Sequence, residues 1–354
     1  MKKTSVSTLA ILTALLFAAF PPAPLEAQAW AYVSAGVAHG AAIATDGSLW
    51  TWGNNNSGQL GIGTSGWDTD TNIPVRVGTD TNWALVSVGA THTVAVRTDG
   101  SLWAWGSNWR GQLGIGTSGR GTDTNTPVRV GTDTNWASVS AGWEYTMAIR
   151  TDGSLWAWGD NNWWRLGIGT SGNPHTPTRV GSETDWASVS AGPSGEHPFA
   201  NGVVYLTGSH TAAVTTTGEL WVWGTNTWGQ LGDGTGGTSN FHTSPIRIGA
   251  DSNWASVSVG WNRTAAIKTD GTLWLWRGRP GNLNFNEETW SYTTAPDAVW
   301  ERPEQEGTET WSFVSVSRNS TLAIRADGTL WLWGSRFVWD PDLGWDANGE
   351  QITR

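Results

Sequence analysis

The chain of 354 residues contains no cysteine, and only 14% of its residues are charged. The absence of cysteine excludes disulfide bonds, thiol catalysis, cysteine-ligated zinc and iron–sulfur clusters. Basic residues are also scarce, since 20 Lys and Arg stand against 30 Asp and Glu and give a net charge of −10. Sequence-independent binding of nucleic acid needs a basic protein surface, so nucleic acid is not expected as a partner.

Tryptophan is the residue in excess, with 29 copies against 4 Tyr and 7 Phe. A chain with so many large aromatic side chains and so few charges can bury ample apolar surface, which excludes an intrinsically disordered protein. The indoles must therefore belong to a folded core, to a binding surface, or to both.

The first 29 residues have the pattern of a secretory signal peptide. Met1-Lys2-Lys3 is positively charged, an apolar stretch runs from about Leu9 to Phe20, and Ala27-Gln28-Ala29 has the small residues of a cleavage site. The apolar stretch is shorter than the roughly 20 residues that a membrane-spanning helix needs. We therefore expect one domain over residues 30–354 that is secreted or resides in the periplasm or cell envelope, with no membrane span after cleavage.

The rest of the chain is one unit repeated six times. Each unit opens with W-x-x-V-S and continues to a segment related to DGSLWxWG, whose first Trp recurs at intervals of 53, 53, 65, 53 and 57 residues. The longest interval reflects an insertion between Ala191 and Gly208. A fixed period of this length indicates a repeat architecture. The units run approximately over residues 30–82, 83–135, 136–185, 186–253, 254–310 and 311–354.

Each unit has the pattern of four short β-strands, which is clearest in the third copy. Trp136–Gly142 and Tyr145–Arg150 alternate in residue type, and Asp152-Gly153 favours a tight hairpin turn. Ser154–Gly159 then places two Trp on one face, and Thr176–Val180 has the Pro of an edge strand. Four strands per unit without a helical period predict an all-β fold, a β-propeller of four-stranded antiparallel blades. We expect six blades closed into a ring, because neither end has a polar capping repeat.

The unit resembles the regulator of chromosome condensation repeat. The segment from Val86 reads VSVGATHTVAVRTDGSLWAWGSNWRGQLGIG and closes with TPVRV at Val130, which is similar to that repeat along its whole length. The resemblance implies a β-propeller, usually of seven blades, so a gap filled by the C-terminal tail is the alternative to a six-bladed ring. The family includes a nuclear exchange factor for a small GTPase, and also secreted bacterial propellers such as an inhibitor that clamps β-lactamase with an aromatic face. This chain looks similar in kind to the secreted bacterial branch.

Other motifs are explained by the repeat. G-x-G-x-x-G occurs four times, but no helix follows it to receive a pyrophosphate. His39, His92 and His210 share a position that also holds Arg263, which favours structural hydrogen bonds over a metal site. Asp68-Thr-Asp70 lacks the Gly and the terminal Glu of a calcium loop. We expect no cofactor, no metal and no enzymatic activity, since no catalytic signature is visible.

The period accounts for eighteen Trp and leaves eleven unexplained. Two groups of these share positions in the repeat. Trp143 and Trp261 follow the Gly that ends the first strand of their units. The second group lies in the loop after the W-x-W strand, where Trp164-Arg165 replaces Gly-Gln, and contains Trp109, Trp163, Trp164 and Trp228. Because equivalent loops lie on equivalent faces of a ring, we expect each group to cluster in space.

These six Trp are the candidate binding residues, with packing over neighbouring loops as the alternative. Exposed Trp are enriched at interface hot spots, so the favoured function is an exported binding module that recognises a protein partner through an aromatic loop face. The alternative is a glycan-binding propeller in which the same indoles stack on sugar rings. Nucleotide exchange inherited with the fold and a propeller hydrolase or lyase are less favoured, and the oligomeric state is open.

Overall fold

The computed structural model describes residues 29–193, 195–198, 204–207, 210–237, 240–276, 284–286, 291–293, 302–317, 320–334 and 350–351. The expected signal peptide lies outside these residues except for Ala29, so its cleavage stays a prediction. The described residues form two compact units. One unit extends to Asn161 and includes Gly172–Thr184, whereas the other contains Asn162–Ser171 and the chain from Asp185.

Nearly all regular structure is β-strand, as the alternating sequence predicts. The described part of the chain contains no α-helix, and hence no helix long and apolar enough to cross a membrane, and a single 3₁₀ turn at Asn162–Trp164. The strands are β1 (Trp30–Ala35), β2 (His39–Ala44), β3 (Leu49–Gly53), β4 (Thr71–Arg76), β5 (Trp83–Val88), β6 (His92–Arg97), β7 (Leu102–Gly106), β8 (Thr124–Arg129), β9 (Trp136–Ala141), β10 (Tyr145–Arg150), β11 (Leu155–Gly159), β12 (Thr178–Arg179), β13 (Trp186–Ala191), β14 (Gly195–Pro198), β15 (Val204–Thr207), β16 (His210–Thr215), β17 (Leu220–Thr225), β18 (Phe241–Arg247), β19 (Trp254–Val259), β20 (Thr264–Lys268), β21 (Thr272–Trp276), β22 (Asn284–Asn286), β23 (Ser291–Thr293), β24 (Glu304–Val316), β25 (Ser320–Arg325), β26 (Leu330–Gly334) and β27 (Glu350–Gln351).

The strands pair into four-stranded antiparallel sheets, which we call blades. Blade 1 contains β1–β4, blade 2 contains β5–β8 and blade 3 contains β9–β12, each in chain order. Blade 4 contains β13, β16, β17 and β18, while the insertion of the fourth unit forms the separate hairpin β14–β15. The four-stranded unit predicted from the sequence is therefore confirmed, although the outer strand of blade 3 is reduced to two residues.

The last two units share one sheet. β24 is 13 residues long, and its first part pairs with β21 as the outer strand of blade 5. Its second part pairs with β25 as the first strand of the sixth sheet, which ends in the two-residue β27. The connection from Pro303 to Trp311 is one residue shorter than that from Pro127 to Trp136, and β-structure runs through it. The prediction of six blades is thus confirmed for five of them. It is corrected for the sixth unit, which forms only a partial sheet. Closure into a ring stays a prediction.

The DGSLW motif is explained by a chain of hydrogen bonds at the hairpin turn, which blade 4 lacks because Thr217-Gly218-Glu219 replaces the motif there. In blade 3, Gly153 has a φ of +77°, which favours glycine, and the backbone N–H of Ser154 donates to Asp152 Oδ1 at 2.9 Å. The Ser154 hydroxyl donates to the same oxygen at 2.6 Å and accepts from Trp156 Nε1 at 2.8 Å. These hydrogen bonds from Ser154 lower the pKa of Asp152. The motif therefore fixes the turn and the first indole of the W-x-W strand together.

The periodic Trp form the core and the flanks of the blades. The opening Trp136 packs edge-on against Trp156, with ring centroids 6.1 Å apart, and Arg150 lies 3.9 Å above the Trp156 ring. The second Trp of the W-x-W strand is fully buried in blades 2 to 5, at Trp105, Trp158, Trp223 and Trp276. Most of the tryptophan excess is therefore structural.

Candidate functional site

In the loops that follow the W-x-W strands of blades 1 to 4, a main-chain carbonyl accepts two hydrogen bonds from the following blade. Gln112 O, in the loop after β7, accepts from Trp158 Nε1 at 2.9 Å and from the Thr146 hydroxyl at 2.9 Å, both in blade 3. His92 Nε2 lies 3.0 Å from the same hydroxyl oxygen. The carbonyls with the same role elsewhere are those of Gln59, Arg165 and Gln230. The junctions hold the loops that follow the W-x-W strands in fixed positions.

The histidines make structural hydrogen bonds, as the sequence predicts, and the structure shows that these bonds join neighbouring blades. The Thr146 hydroxyl donates its hydrogen to Gln112 O, so the hydroxyl oxygen acts as the acceptor towards His92. The imidazole hydrogen of His92 must therefore be on Nε2. Burial lowers the pKa of His39, His92 and His210 to about 3, so the imidazoles are neutral. In the ranges that the structure describes, no three His, Asp or Glu side chains lie close enough to hold a metal ion.

The loop after the W-x-W strand has a common plan, which blade 2 shows. The Asn108 side chain closes the loop, since its Oδ1 accepts from Leu113 N at 3.1 Å and its Nδ2 donates to Thr117 O at 3.0 Å. Gly111 has a φ of +82°, and its Cβ position would lie 2.5 Å from the side chain of His175. This position of the loop therefore favours glycine for two reasons, backbone conformation and space.

The six candidate Trp differ in exposure. Trp109 and Trp163 are 54% and 43% exposed, and Trp261 is buried at 8%. The other three candidates, Trp143, Trp164 and Trp228, are half-buried. Among the Trp that the period leaves unexplained, Trp67 is also exposed, at 88%, and four lie outside the described residues: Trp290, Trp300, Trp339 and Trp345. Five of the six candidates thus present indole surface to solvent.

The two groups of Trp meet at a blade junction. Trp228, in the loop of blade 4, packs on Trp261 of blade 5 with ring centroids 6.4 Å apart and planes tilted by 46°. Arg110 holds the position of Trp228 in the blade 2 loop, and its Nε lies 3.6 Å from Glu144 Oε2, beside Trp143. The loop of one blade therefore faces the segment after the first strand of the next blade. The sequence positions predict two clusters, whereas the structure joins a member of each group in one.

The loop of blade 3 departs from the common plan at three consecutive positions. Trp163, Trp164 and Arg165 stand where blade 2 has Arg110, Gly111 and Gln112. Trp163 has a φ of +66° and Trp164 a φ of +61°, and within the described ranges these are the only residues other than glycine with a positive φ. The left-handed backbone costs an L-residue about 1–2 kcal/mol, so this loop is strained.

The ring that contacts Trp164 is also a departure from the repeat. Four residues before the Pro of the outer strand, Asp70 and Asp123 each accept a loop N–H at 2.7 Å, which ties the loop to the strand. Phe241 stands at this position in blade 4 and has no acceptor, so Asn226 N donates instead to Asn240 O at 2.9 Å. The rings of Trp164 and Phe241 stack with centroids 6.0 Å apart and planes within 14°.

We call Trp163, Trp164 and Phe241 the aromatic ledge. Phe241 is 41% exposed, so the ledge presents ring surface from both strained Trp and from the strand beside them. The sequence identifies the two Trp as aperiodic but not Phe241. A signal for Phe241 exists in the repeat, since Asp or Asn precedes the Pro by four residues in blades 1 to 3 and is absent in blade 4.

Comparison with known proteins supports the class that the blades define, a β-propeller, and names its family. The Regulator of chromosome condensation (RCC1) repeat matches residues 46–96, 99–149, 152–195 and 217–267, which is more than half of the chain. A second model of the same repeat matches residues 30–59 and 83–112. The chain belongs to the RCC1 repeat family.

The relatives that the chain matches are longer than the chain. It is 30% identical over 287 residues to the Ultraviolet-B receptor UVR8 of Arabidopsis thaliana. The aligned region covers 77% of this chain and 58% of the relative. It is 30% identical over 258 residues to the mitochondrial RCC1 domain-containing protein RUG3 of Arabidopsis thaliana, covering 69% and 53%. The chain thus spans a little over half the length of these relatives.

Among solved structures, Prp20p from Saccharomyces cerevisiae has the same fold. It superposes with a TM-score of 0.72 at 18% identity, over 92% of this chain and 77% of that chain. The binding properties of Prp20p to Gsp1p and histones are described with that structure. At this identity the likeness concerns the fold.

Proposed function

We propose that this protein is an exported binding module of the RCC1 repeat family that recognises a protein partner through the aromatic ledge. The observation that carries the proposal is the contact between two departures from the repeat, one of which strains the backbone. Trp164 takes a left-handed backbone where other loops have Gly, and Phe241 places an exposed ring where Asp70 and Asp123 accept a loop N–H, a bond that the Asn240 carbonyl accepts instead in blade 4. Backbone strain of this kind persists where the surrounding structure enforces it, and it concentrates at functional sites.

The chemistry of the ledge fits a protein partner. Trp is among the residues most enriched at interface hot spots, and rigid aromatic rings bury large areas at a low cost in conformational entropy. Other proteins of this fold support the same reading, since yeast RCC1 (Prp20) has been solved bound to Kap60. Export rests on the sequence pattern of residues 1–29.

The first experiment is capture of partners from culture medium and envelope extracts. The bait proteins are the wild type, a Trp163→Ala/Phe241→Ala double variant, and Trp67→Ala as the matched control. Trp67 is the most exposed of the Trp with a described exposure and lies outside the ledge. We expect a partner that the wild type and the control retain, and whose affinity the double variant lowers by roughly thirtyfold or more, as for a hot spot of about 2 kcal/mol. Identical partners at equal affinity for all three baits would refute the proposal.

Glycan binding is the second candidate, because the exposed indole of Trp163 also offers a flat face to a sugar ring. A glycan array probed with the same three proteins separates the two functions. A glycan signal that the double variant loses and the Trp67→Ala control keeps would favour the glycan.

A further inference from the structure

A pocket of about 220 Å³ lies between blades 4 and 5, and it shares no residue with the aromatic ledge. Asp233, in the loop after β17, and Arg247 of β18 line it from blade 4. Trp254 and Trp274 line it from blade 5, and Arg302 lies at its edge just before β24. The pocket thus combines aromatic walls with charged groups.

Two of these charged residues are departures from the repeat. Asp233 stands between two glycines, in the G-x-G segment where the other loops have Ile. Arg302 directly precedes the Pro of the outer strand, where the other blades have an uncharged residue. The residues that hold these two positions elsewhere are Ile62, Ile115 and Ile168 for the first, and Ile73, Thr126, Thr176 and Ser244 for the second. The blade plan therefore requires neither charge.

Asp233 is fully engaged within its own blade. Its Oδ1 accepts from Asn226 Nδ2 at 2.9 Å and from Thr235 N at 2.8 Å, and its Oδ2 lies 3.0 Å from His242 Nε2. Burial alone would raise the pKa of Asp233, but the hydrogen bonds from Thr235, His242 and Asn226 outweigh it and lower the pKa. The carboxylate is therefore ionised and already has partners.

The other charges that line the pocket are paired, except for one. Arg247 Nη1 lies 2.9 Å from Glu219 Oε1, and Asp251 Oδ2 lies 2.8 Å from Lys268 Nζ. Arg302 is exposed, and none of the hydrogen bonds or ion pairs among the described residues uses its guanidinium. Its Nε lies 3.0 Å from the position that a Cβ on Gly234 would take, so the glycine leaves room for it.

We propose that this pocket binds a carboxylate group, with Arg302 as the anchoring residue. A guanidinium donates two parallel N–H bonds to a planar carboxylate, and the indoles of Trp254 and Trp274 offer an apolar wall to the carbon body behind it. Trp274 is the half-buried ring of the two, whereas Trp254 is 4% exposed. The Nε1 atom of Trp254 is buried without a hydrogen-bond partner in the described structure, as it is in Trp83, Trp136 and Trp186. The pocket is smaller than the roughly 300 Å³ of typical small-molecule sites, so it takes a group of side-chain size. An acidic peptide side chain and a small free organic acid share this chemistry.

The test follows the Arg302 Nε–H signal and the indole N–H signals of Trp254 and Trp274 by NMR in the ¹⁵N-labelled protein. The probes are phenylacetate, the uncharged phenylacetamide, and N-acetyl-glutamate N-methylamide as a peptide side chain. We expect saturable shifts with phenylacetate and none with phenylacetamide. Shifts with the glutamate derivative as well identify a peptide side chain as the ligand, and shifts with phenylacetate alone identify a free acid.

Variants decide whether Arg302 anchors the carboxylate. We expect Arg302→Gln to weaken phenylacetate binding roughly ten- to hundredfold, and Arg302→Lys to weaken it less, because it keeps the charge but loses the planar fork. Arg120→Gln, at an exposed arginine of blade 2, removes the same charge elsewhere and should bind like the wild type. The proposal is overturned if phenylacetate causes no shift, if phenylacetamide binds equally well, or if Arg302→Gln binds as the wild type does.

Discussion

At the scale of single residues, the buried histidines show how a polar group is kept neutral in the core. His39, His92 and His210 each lie within 3.0 Å of a Thr hydroxyl in the next blade. Because that hydroxyl donates onward to a loop carbonyl, it can only accept from the imidazole. Protonation of the ring would place a charge where no water reaches it, so these residues make the fold sensitive to acid.

We expect stability to fall as the pH drops from about 6.5 towards 3. The unfolded imidazole has a pKa of about 6.5, whereas burial lowers the pKa of the three folded histidines to about 3. Above pH 6.5 both states hold neutral imidazoles, and the stabilisation is complete. Below it only the unfolded state binds the proton, so each histidine removes about 1.4 kcal/mol of unfolding free energy per pH unit until the folded pKa is reached.

Urea unfolding at pH 7, 5.5 and 4.5 measures this dependence, and comparison with His92→Gln at each pH separates the histidines from the carboxylates, which begin to titrate at the lowest of these pH values. His92→Gln keeps a hydrogen-bonding side chain and removes one titrating group, so its stability should change with pH about one third less steeply. A free energy of unfolding that stays constant from pH 7 to 4.5 would contradict the assignment of neutral bridges.

Trp164→Gly restores the residue found in the other loops, and we expect it to change the unfolding free energy by less than about 1 kcal/mol. Relief of the left-handed backbone contributes about 1–2 kcal/mol, and loss of the stack on Phe241 offsets it. Trp223→Gly, at a fully buried ring, is the control and should cost at least about 3 kcal/mol. Thermal and urea unfolding of both variants measures the difference. If both variants lost the same unfolding free energy, Trp164 would serve packing. If Trp164→Gly is instead as stable as the wild type, we expect it to fold normally and yet to lose partner binding.

At the scale of elements, the hairpin turn of blade 2 leaves no space for a side chain at its glycine. Gly100 has a φ of +77°, and a Cβ there would lie 2.1 Å from Thr134 O of the following connection. Gly131 has a similar φ of +62°, but no atom lies within 4 Å of its Cβ position. The two positions therefore separate backbone strain from steric overlap.

We expect Gly100→Ala to destabilise the protein by about 1–3 kcal/mol more than Gly131→Ala, because both variants bear the left-handed strain and only the first also overlaps a backbone oxygen. Urea unfolding of the two variants gives the difference directly. If Gly131→Ala were the more damaging, the close approach at the turn would not be the reason for its glycine.

The elements follow from local signals, and that is why the sequence predicts them well. Asp152-Gly153 and the alternation on either side define β10 and β11 without reference to any other unit. The aromatic ledge is different, because Trp164 and Phe241 belong to different repeats separated by the insertion. Their contact depends on how neighbouring blades pack, which a single sequence does not contain. The shared strand β24 escaped prediction for the same reason, since strand pairing decides whether a short connection becomes a turn or a strand.

At the scale of the whole molecule, the described junctions repeat with the period of the sequence. Each buried His and its Thr are 54 residues apart, and three of the four described indole-to-carbonyl bonds join residues 46 apart. A junction is thus made by neighbours in the repeat, in keeping with repeat proteins, whose stability depends on the interfaces between adjacent units.

We expect Trp158→Phe to cost about 1–2 kcal/mol more than Trp156→Phe. Both changes remove the same atoms, but Trp158 Nε1 donates to Gln112 O in the loop of the preceding blade and is fully buried, whereas Trp156 Nε1 donates to Ser154 in its own blade and is half-buried. Trp158→Phe removes the buried N–H donor and with it one of the two hydrogen bonds that join Gln112 O of blade 2 to blade 3. Urea midpoints followed by far-UV circular dichroism compare the two, and equal costs would show that the junction bond adds nothing to stability.

The acceptors in these junctions are main-chain carbonyls, and this has a consequence for how the family can change. Gln112 and Arg165 have very different side chains, yet their carbonyls accept the same pair of bonds, from an indole and a Thr hydroxyl of the next blade. Substitutions at this buried loop position can therefore change the side chain without removing the main-chain acceptor that the next blade uses. Selection can vary one loop at a time, much as antibodies vary their hypervariable segments on a constant scaffold.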